Sequence, residues 1–482
     1  HYVNVDDGYF GKRDDNGIMH THEQRFPNGM KPIADYVHGL GMKAGLYTDA
    51  GNSTCGSMWD NDAAGVGAGI YGHEPQDAQL YFGDWGFDFI KIDYCGGDAL
   101  GLNEKERYTS IRNSIDKVNK DVSINICRWA FPGTWAKDAA TSWRISGDIN
   151  AHWGSLRYVV GKNLYLSAYA GNGHYNDMDM MVIGFRNDSK VGGQGLTPTE
   201  EEAHFGLWCI MSSPLLIGCN LENMPDSSLK LLTNKELIAL NQDPLGLQAY
   251  VAQHENEGYV LVKDIEQKRG NVRAVALYNP SDTICSFSVP FSSLEFGGNV
   301  KVRDLVKHSD LGNFSGTFEQ TLPAHSAMFL RIEGETRLEP TLYEAEWAYL
   351  PLFNDLGKNP KGIIYAHDKE ASGKMKVGFL GGQPENYAEW REVYSENGGR
   401  YDMTIHYLYG KGRQIELDVN GIITKIDSLG KDNGHNQITV PVELKAGYNT
   451  IRMGNSYNWA PDIDCFTLTK ACLLYTSPSP RD

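Results

Sequence analysis

The stretch "FIKIDYCGG", residues 89–97, carries the pattern that decides the fold of this chain. A run of apolar residues typical of a buried strand is interrupted by Lys91 and ends at Asp93. Side chains two positions apart leave a strand on the same face, so Lys91 and Asp93 point together to the side opposite Ile90 and Ile92. Either a buried ion pair or an active site would explain this arrangement.

Similar apolar runs recur over residues 1–247 and alternate with helical patterns. This alternation indicates parallel strands that are buried on both faces. Seven strands can be placed if the run at 214–221 is counted, and an eighth is expected upstream of His1. The sequence therefore predicts an α/β fold, a (β/α)8 TIM barrel with its first strand missing. A doubly wound open sheet is the alternative, although no Gly-rich dinucleotide turn follows the first strand.

Nearly every predicted strand of this region ends in polar residues. They are Asp6, Asp7, Tyr47, Asp49, Lys91, Asp93, Cys127, Arg128, Arg144, Asp148, Asp177 and Asp179. In a barrel these carboxyl ends meet on one face, where active sites lie. Because the residues before them are apolar, an active site explains the pattern better than a set of structural ion pairs.

The pattern changes after residue 247. Short alternating strands separated by Gly, Asn, Asp and Ser turns predict an antiparallel β-sandwich at 248–334. A polar linker precedes a second all-β unit at 342–471, for which we predict a jelly-roll β-sandwich. The last residues, 472–482, match no periodicity and are expected to be a non-native tail.

The composition excludes several classes of partner. With 44 Lys and Arg against 61 Asp and Glu, the formal charge is −17, which argues against nucleic acid and anionic membrane surfaces. No apolar stretch approaches the roughly 20 residues that a membrane span needs.

Two carboxylates at the ends of strands that are separated by one further strand suit glycoside hydrolysis. Asp93 and Asp148 lie at the ends of the fourth and sixth predicted barrel strands, where one could attack the anomeric carbon and the other protonate the leaving oxygen. Lys91 would keep Asp93 ionised. A metal-dependent hydrolase is the alternative, but of the 14 His only His174 lies near a predicted strand end, and His152 lies on the loop after "GDIN".

A series of long motifs, in the same order along the chain, resembles the melibiase-type α-galactosidases of glycoside hydrolase family 27. The motifs are "YVNVDDGYF", "FPNGMKPIADYVHGLGMKAGLYTDAGNSTC", "WGFDFIKIDYC", "WRISGDI", "YNDMDMMVIG", "WCIMSSPLLIGCNL" and "IALNQDPLGLQAY". The resemblance runs from His1 to about residue 334 and implies a retaining exo-glycosidase that needs no cofactor for catalysis and acts on glycans with terminal α-D-galactose.

The resemblance also implies roles for individual residues. Asp93 matches the nucleophile and Asp148 the acid/base, while Cys55 and Cys95 match a disulfide beside the pocket. Further positions match sugar contacts: Asp6, Asp7, Tyr47, Lys91, Cys127, Trp129, Arg144 and Asp179. A disulfide agrees with a secreted or periplasmic enzyme.

One departure from the family pattern leaves the sugar open. Arg128 occupies a position where Glu is common, in the region that reads the sugar 2-hydroxyl; it could alter the sugar read there, or it could point into the barrel wall. An α-galactoside is favoured over an α-N-acetylgalactosaminide or a β-L-arabinopyranoside. A catalytically inactive sugar-binding protein is a further alternative, although both carboxylates and the lysine are present.

The unit at 342–471 resembles carbohydrate-binding modules of families 6 and 35, through "EAEWA" near its start and "APDIDCFTL" at its end. The resemblance implies a structural calcium at Glu344, Glu346 and Asp464, whose oxygens are what calcium takes. Asn458 and Trp459 fall where such modules hold ligand, although Trp459 could equally be a core residue.

Overall fold

The computed structural model describes residues 1–185, 193–356, 362–427, 429–430 and 432–471. The predicted tail at 472–482 lies outside these residues. We call residues 1–247, 248–334 and 342–471 the first, second and third units. Among the described residues, no helix has the length and apolar character that crossing a bilayer requires.

The first unit is built on a parallel sheet with flanking helices. Its strands are β1 (Tyr2–Asn4), β2 (Phe10–Arg13), β3 (Met19–Thr21), β4 (Lys43–Asp49), β5 (Phe89–Asp93), β6 (Ser123–Ile126), β7 (Ser142–Arg144) and β8 (Tyr175–Asp177). Its helices are α1 (Lys31–Gly39), α2 (Cys55–Trp59), α3 (Glu74–Ala78), α4 (Cys95–Ala99), α5 (Glu104–Asp116), α6 (Ala136–Ala139), α7 (Trp153–Asn163), α8 (Pro198–Ile210), α9 (Asp226–Leu232) and α10 (Lys235–Asn241).

The sheet follows the order of the chain, β1-β4-β5-β6-β7-β8, and every pairing in it is parallel. A doubly wound sheet would reverse its strand order at a switch point, so this alternative is wrong. Strands added in one direction, each followed by a helix, give the curled half-barrel seen here.

Two of the strand predictions need correction. The run at 214–221 forms a single parallel bridge, between Met181 and Ile217, in place of a strand. Ile217 is 48% exposed, so its apolar neighbours lie near the surface. The strand at the start of this chain, β1, was predicted to be buried but is exposed along its length. Among the described strands it pairs only with β4.

Strand β5 has the two faces that its sequence predicts. Ile90 and Ile92 are completely buried in the core of the first unit, and the Tyr108 hydroxyl on α5 donates to the Ile92 carbonyl at 3.0 Å. Lys91 and Asp93 leave the other face, toward the carboxyl end of the sheet.

The second unit contains two antiparallel sheets, β14-β13-β16-β11-β10-β9 and β12-β15. Its strands are β9 (Tyr250–Glu255), β10 (Gly258–Asp264), β11 (Val272–Asn279), β12 (Cys285–Pro290), β13 (Phe296–Asp304), β14 (Ser309–Ser315), β15 (Thr317–Leu322) and β16 (Ser326–Arg337). Alternate residues of β11 belong to different cores: Val275 and Leu277 pack inside the sandwich, whereas Ala274 and Ala276 pack against the first unit. The predicted β-sandwich is confirmed.

The third unit has a six-stranded and a four-stranded antiparallel sheet around a core of its own. Its strands are β17 (Leu342–Glu344), β18 (Ile364–His367), β19 (Met375–Gly378), β20 (Tyr387–Ser395), β21 (Gly399–Leu408), β22 (Ile415–Val419), β23 (Ile422–Ile426), β24 (Asn436–Leu444), β25 (Gly447–Gly454) and β26 (Asp462–Lys470).

Candidate active site

The carboxyl ends of the parallel strands bring polar side chains together. The parallel register pairs Tyr47 with Lys91 across β4 and β5, and Arg144 with Asp177 across β7 and β8. The face predicted from the strand ends therefore exists.

Asp93, at the end of β5, is 5% exposed. Its carboxylate lies 3.9 Å from the Lys91 Nζ and accepts hydrogen bonds from the side chains of Tyr47 and Cys127. The other oxygen, Oδ1, is buried and has no hydrogen-bond partner among the described residues. Burial raises the pKa of Asp93, and the charge of Lys91 lowers it by less. The charge of Lys91 thus favours the ionised form of Asp93, as the sequence predicted, but the effect of burial on the pKa is larger.

Lys91 lies between two carboxylates. Its Nζ is 3.2 Å from Asp6 and 5.2 Å from the centre of the Tyr47 ring. Burial disfavours the charge, but Asp93 and then Asp6 raise the pKa of Lys91 above its usual value. This lysine therefore remains a cation beside Asp93.

Asp6 and Asp7 follow β1 after the chain has begun to turn, and they point to different partners. Asp6 is 65% exposed and contacts Lys91. Asp7 accepts hydrogen bonds from the Gly56 amide at 2.9 Å and the Gly8 amide at 2.7 Å, and burial raises its pKa. Asp7 consequently braces the loop after β4.

A disulfide joins Cys55, at the start of α2, to Cys95, at the start of α4, as the resemblance implied. It links the turns that follow β4 and β5, the strands of Tyr47 and Asp93. The Cys55 amide donates to the Tyr47 hydroxyl at 3.3 Å. The disulfide therefore lies next to Tyr47 at the carboxyl ends of β4 and β5.

Arg144 contacts both Asp148 and Asp179. This residue is 3% exposed, and its NH2 group lies 3.0 Å from Asp148 and 2.9 Å from Asp179. Its NH1 group donates to the Cys127 Sγ at 3.7 Å, which connects it to Asp93 through Cys127. Burial disfavours its charge, but Asp179 in particular raises its pKa.

Asp148 differs from Asp93 in its environment, because its side chain is 76% exposed. The exposure of Asp179 lies between those of Asp93 and Asp148, because its side chain is 14% exposed. Its backbone has a φ of +76°. It accepts from the amides of Ile149 at 2.9 Å and Met180 at 2.7 Å. Such a left-handed conformation at a non-glycine residue persists only where the surroundings fix it.

Three buried polar residues for which no role was predicted from the sequence, Asp49, Asn125 and Asp177, support the site. Asp49 accepts from the amides of Gly51 and Gly96, and burial raises its pKa to about 7. Asn125 donates to Asp177 at 2.8 Å. The available signals were the strand-end position of both aspartates and an amide inside the apolar stretch "SINI".

The charged contacts of Arg128 are with helices α4 and α5. Its guanidinium lies 2.8 Å from Glu104 and 3.3 Å from Asp98, and over the rings of Tyr94 and Trp129. Of the two possibilities left open by the sequence, the geometry favours a structural contact with α4 and α5.

The two histidines of the metal alternative have structural roles. His152 caps α7, where its Nδ1 accepts from the Ser155 amide at 3.1 Å. His174 stacks on Trp143 at 6.3 Å. Neither joins a group of potential metal ligands in the part of the chain that the structure describes.

The third unit contains a second cluster of buried carboxylates. Glu344, Glu346 and Asp464 are each at most 6% exposed. Ser372 donates to Asp464 and Glu344, but Oε2 of Glu344 and both oxygens of Glu346 have no hydrogen-bond partner among the residues described. Burial raises the pKa of Glu344 to about 7 and that of Asp464 to about 6.

Trp459 is a surface residue with 43% exposure, so the core interpretation is wrong. It borders a cavity of about 700 Å³, and the adjacent Asn458 accepts from the Gly382 amide at 2.9 Å through its carbonyl. The cavity is lined by Ile364, Ala366, Lys376, Gly378, Phe379, Tyr409, Arg413, Trp459 and Asp462.

A half-barrel whose strand ends gather a buried carboxylate, an exposed carboxylate and two cations has the architecture of a carboxylate-based glycoside hydrolase. The family model described as "Alpha galactosidase A" matches residues 1–243, and the model of the α-galactosidase C-terminal β-sandwich domain matches residues 258–332. The chain belongs to this melibiase-type family of α-galactosidases.

Individual relatives agree with this assignment. Alpha-galactosidase A of Cellvibrio japonicus is 35% identical over 69% of this chain and 82% of its own length. Alpha-galactosidase 3 of Arabidopsis thaliana is 37% identical over 67% of this chain and 71% of its own length. The crystal structure of α-galactosidase I from Mortierella vinacea superposes with a TM-score of 0.61 at 26% identity, over 70% of this chain and 88% of that one.

Proposed function

We propose that the chain hydrolyses terminal α-D-galactosides with retention of configuration, with Asp93 as nucleophile and Asp148 as acid/base. The contrast between the two carboxylates carries this assignment. Asp93 is buried beside Lys91 with one oxygen unpartnered, whereas Asp148 is on the exposed side of Arg144. The names of the relatives support the substrate class.

The reaction needs two displacements. Asp93 attacks the anomeric carbon and forms a glycosyl ester as the bond to the leaving oxygen breaks; Asp148 gives that oxygen its proton. Water then attacks the same carbon, Asp148 takes a proton from the water, and the ester bond to Asp93 breaks. The exposure of Asp148 suits a group that must exchange a proton with the leaving group and with water.

Eight further residues at or just beyond the strand ends are proposed as sugar contacts. They are Asp6, Asp7, Tyr47, Lys91, Cys127, Trp129, Arg144 and Asp179. Asp6 and Asp7 are assigned to the 6- and 4-hydroxyls of galactose. A β-L-arabinopyranoside has no hydroxymethyl group and would offer Asp6 no 6-hydroxyl to bind, so this assignment of Asp6 favours a galactoside.

Hydrolysis of p-nitrophenyl α-galactoside tests the proposal. We expect turnover of this substrate to exceed that of the matching α-N-acetylgalactosaminide and β-L-arabinopyranoside. Absence of turnover on all three glycosides, with galactose still bound, would instead identify a sugar-binding protein. An initial product in the β configuration would contradict retention.

Lys91→Met should move the acidic limb of the pH profile of kcat/KM to higher pH. The pKa of Asp93 is already raised by burial, and removing the charge that lowers it raises it further. Less Asp93 is then ionised at a given acidic pH. We expect a shift of about one pH unit, besides a lower maximum. Lys31→Met, which removes a surface ion pair with Asp35, is the control and should leave the limb in place.

We further propose that the half-barrel is part of a (β/α)8 barrel and that the three units are separate domains of an exported enzyme. The bridge between Met181 and Ile217 adds a pairing beyond β8 in the direction of a barrel. Each unit has a hydrophobic cluster made mainly of its own residues, although that of the first unit also includes Ala274 and Ala276 of the second, and this supports three domains. The disulfide supports an oxidising compartment.

The third unit is proposed to be a sugar-binding jelly-roll module that resembles families 6 and 35. Three aromatic side chains, Phe379, Tyr409 and Trp459, are each at least 40% exposed beside one cavity, and aromatic faces suit sugar rings. Lys376 and Asp462, 3.3 Å apart, supply polar groups at the same place. Retardation in a galactomannan gel, compared with Trp459→Ala, tests this role.

Glu344, Glu346 and Asp464 fit a structural calcium ion, which takes oxygen ligands. Three of their buried oxygens lack a partner within the described parts of the chain. Gly373 leaves room beside them, because a Cβ there would lie 2.4 Å from Glu346 Oε1. A bound cation would neutralise carboxylates that burial disfavours as anions.

Removing calcium should therefore destabilise the third unit. We expect chelation to lower its melting temperature by about 5–10 °C, the effect of a site filled at about one hundred times its Kd. Calorimetric melting with chelator, and again after calcium is restored, measures this change in melting temperature. Glu344→Gln should abolish the calcium response, and the exposed Glu370→Gln should retain it. Equal melting temperatures with and without calcium would show that the cluster holds no such ion.

A further inference from the structure

The segment at 350–355 of the third unit packs on the first unit; we call it the docking segment. Its Phe353 ring stacks on Phe131 at 5.6 Å with an interplanar angle of 16°, and lies 5.9 Å from Tyr169. Phe353 packs against the hydrophobic cores of both units. The contact is thus a continuation of two cores.

Polar contacts fix the docking segment in place. The Asp355 amide donates to the Phe131 carbonyl at 2.9 Å, and the Thr134 hydroxyl donates to the Pro351 carbonyl at 2.8 Å. Lys162 of α7 lies 2.7 Å from the Asp355 carboxylate. Backbone and side-chain bonds at both ends of the segment define one geometry for it.

The docking segment contacts a particular loop of the first unit, the residues 127–135 between β6 and α6, here called the β6–α6 loop. This loop begins at Cys127, whose side chain contacts Asp93, and it contains Trp129 at a φ of +58°. Further along it, Gly133 has a φ of +115°, and a Cβ there would lie 3.6 Å from the Asn354 Cβ. A loop with a left-handed tryptophan depends on its surroundings to hold that conformation.

We propose that the docking segment positions the β6–α6 loop for substrate binding, with Phe353 as its main positioning residue. The third unit is then part of the structure that shapes the galactoside pocket, besides any sugar that it binds itself. The inference rests on the proposed function, because Cys127 and Trp129 are proposed sugar contacts. Phe353 acts through Phe131 and touches no catalytic group.

Phe353→Ala tests this proposal in the full-length chain. Loss of the stacked ring should loosen the β6–α6 loop and raise KM for p-nitrophenyl α-galactoside about tenfold, because small displacements of binding groups have large effects. The fall in kcat should stay below about threefold, since Asp93 is held by β5 and Asp148 by Arg144. A partly unfolded sample would lose kcat and leave KM unchanged.

Two further variants and one measurement complete the experiment. Phe353→Tyr keeps the stacked ring and should restore KM, whereas Tyr457→Ala, at a 79% exposed position of the same unit, should leave KM unchanged. Hydrogen exchange should rise in residues 127–135 of Phe353→Ala. The small substrate separates this effect from sugar binding by the third unit. Normal KM and normal exchange in an active Phe353→Ala would overturn the proposal, whereas an inactive wild-type chain would overturn the proposed function itself.

Discussion

Asp93→Asn should reduce kcat on p-nitrophenyl α-galactoside by at least about 10⁴-fold, because the amide cannot form the glycosyl ester. The fold should survive. The pKa of Asp93 is raised by burial, so a neutral side chain is at least as compatible with this buried position as the carboxylate. The thermal melting temperature and bound galactose are the two measurements that separate a lost nucleophile from a lost fold.

Asp116→Asn provides the matched control. Asp116 ends α5 in the same unit and forms a surface ion pair with Arg112, so its replacement should change kcat by less than about twofold. Azide adds a stereochemical test. In Asp93→Gly the anion can enter in place of the carboxylate and displace the leaving group directly, which gives β-galactosyl azide. Near-normal hydrolysis by Asp93→Asn would rule out this residue as nucleophile.

Asp148→Ala should give the second largest effect, and its size should depend on the leaving group. On raffinose, whose leaving group needs a proton, we expect kcat to fall by about 10²–10⁴-fold. On p-nitrophenyl α-galactoside the first displacement needs less help, so the glycosyl-enzyme should accumulate. Both kcat and KM should then fall together, with an initial burst of nitrophenol.

Azide distinguishes the two carboxylates. In Asp148→Ala it can attack the glycosyl-enzyme without a general base, and the product should be α-galactosyl azide, the opposite anomer to that from Asp93→Gly. Asp98→Ala is the control, since Asp98 contacts Arg128 and has no proposed role in either displacement; it should show neither a burst nor azide activation. Exchanged anomers in the two variants would mean that the roles of Asp93 and Asp148 are reversed.

Much of this site could be predicted because it depends on the period of a strand. Lys91 and Asp93 share a face by their spacing alone, and Asp49 and Asp177 end strands whose direction the apolar runs indicate. The run at 214–221 has the composition of a buried strand but is not one, because composition does not distinguish a buried apolar run from one near the surface. The direction of the Arg128 side chain was likewise not determined by the sequence, since a charged residue next to a pocket residue can point either toward the sugar or into the surrounding structure.

The sequence by itself determined that parallel strands alternate with helices, that carboxylates stand at the strand ends and that the chain changes to β-sandwiches, because these follow from local periodicity and residue type. Only the tertiary structure decided which groups meet. Arg144 contacts Asp179, 35 positions away in the chain, and Phe353 stacks on Phe131 from another unit. The tertiary structure also decided the pKa of Asp93, which burial raises by more than the charge of Lys91 lowers it. Desolvation depends on everything that packs around a carboxylate and not on its neighbours in sequence.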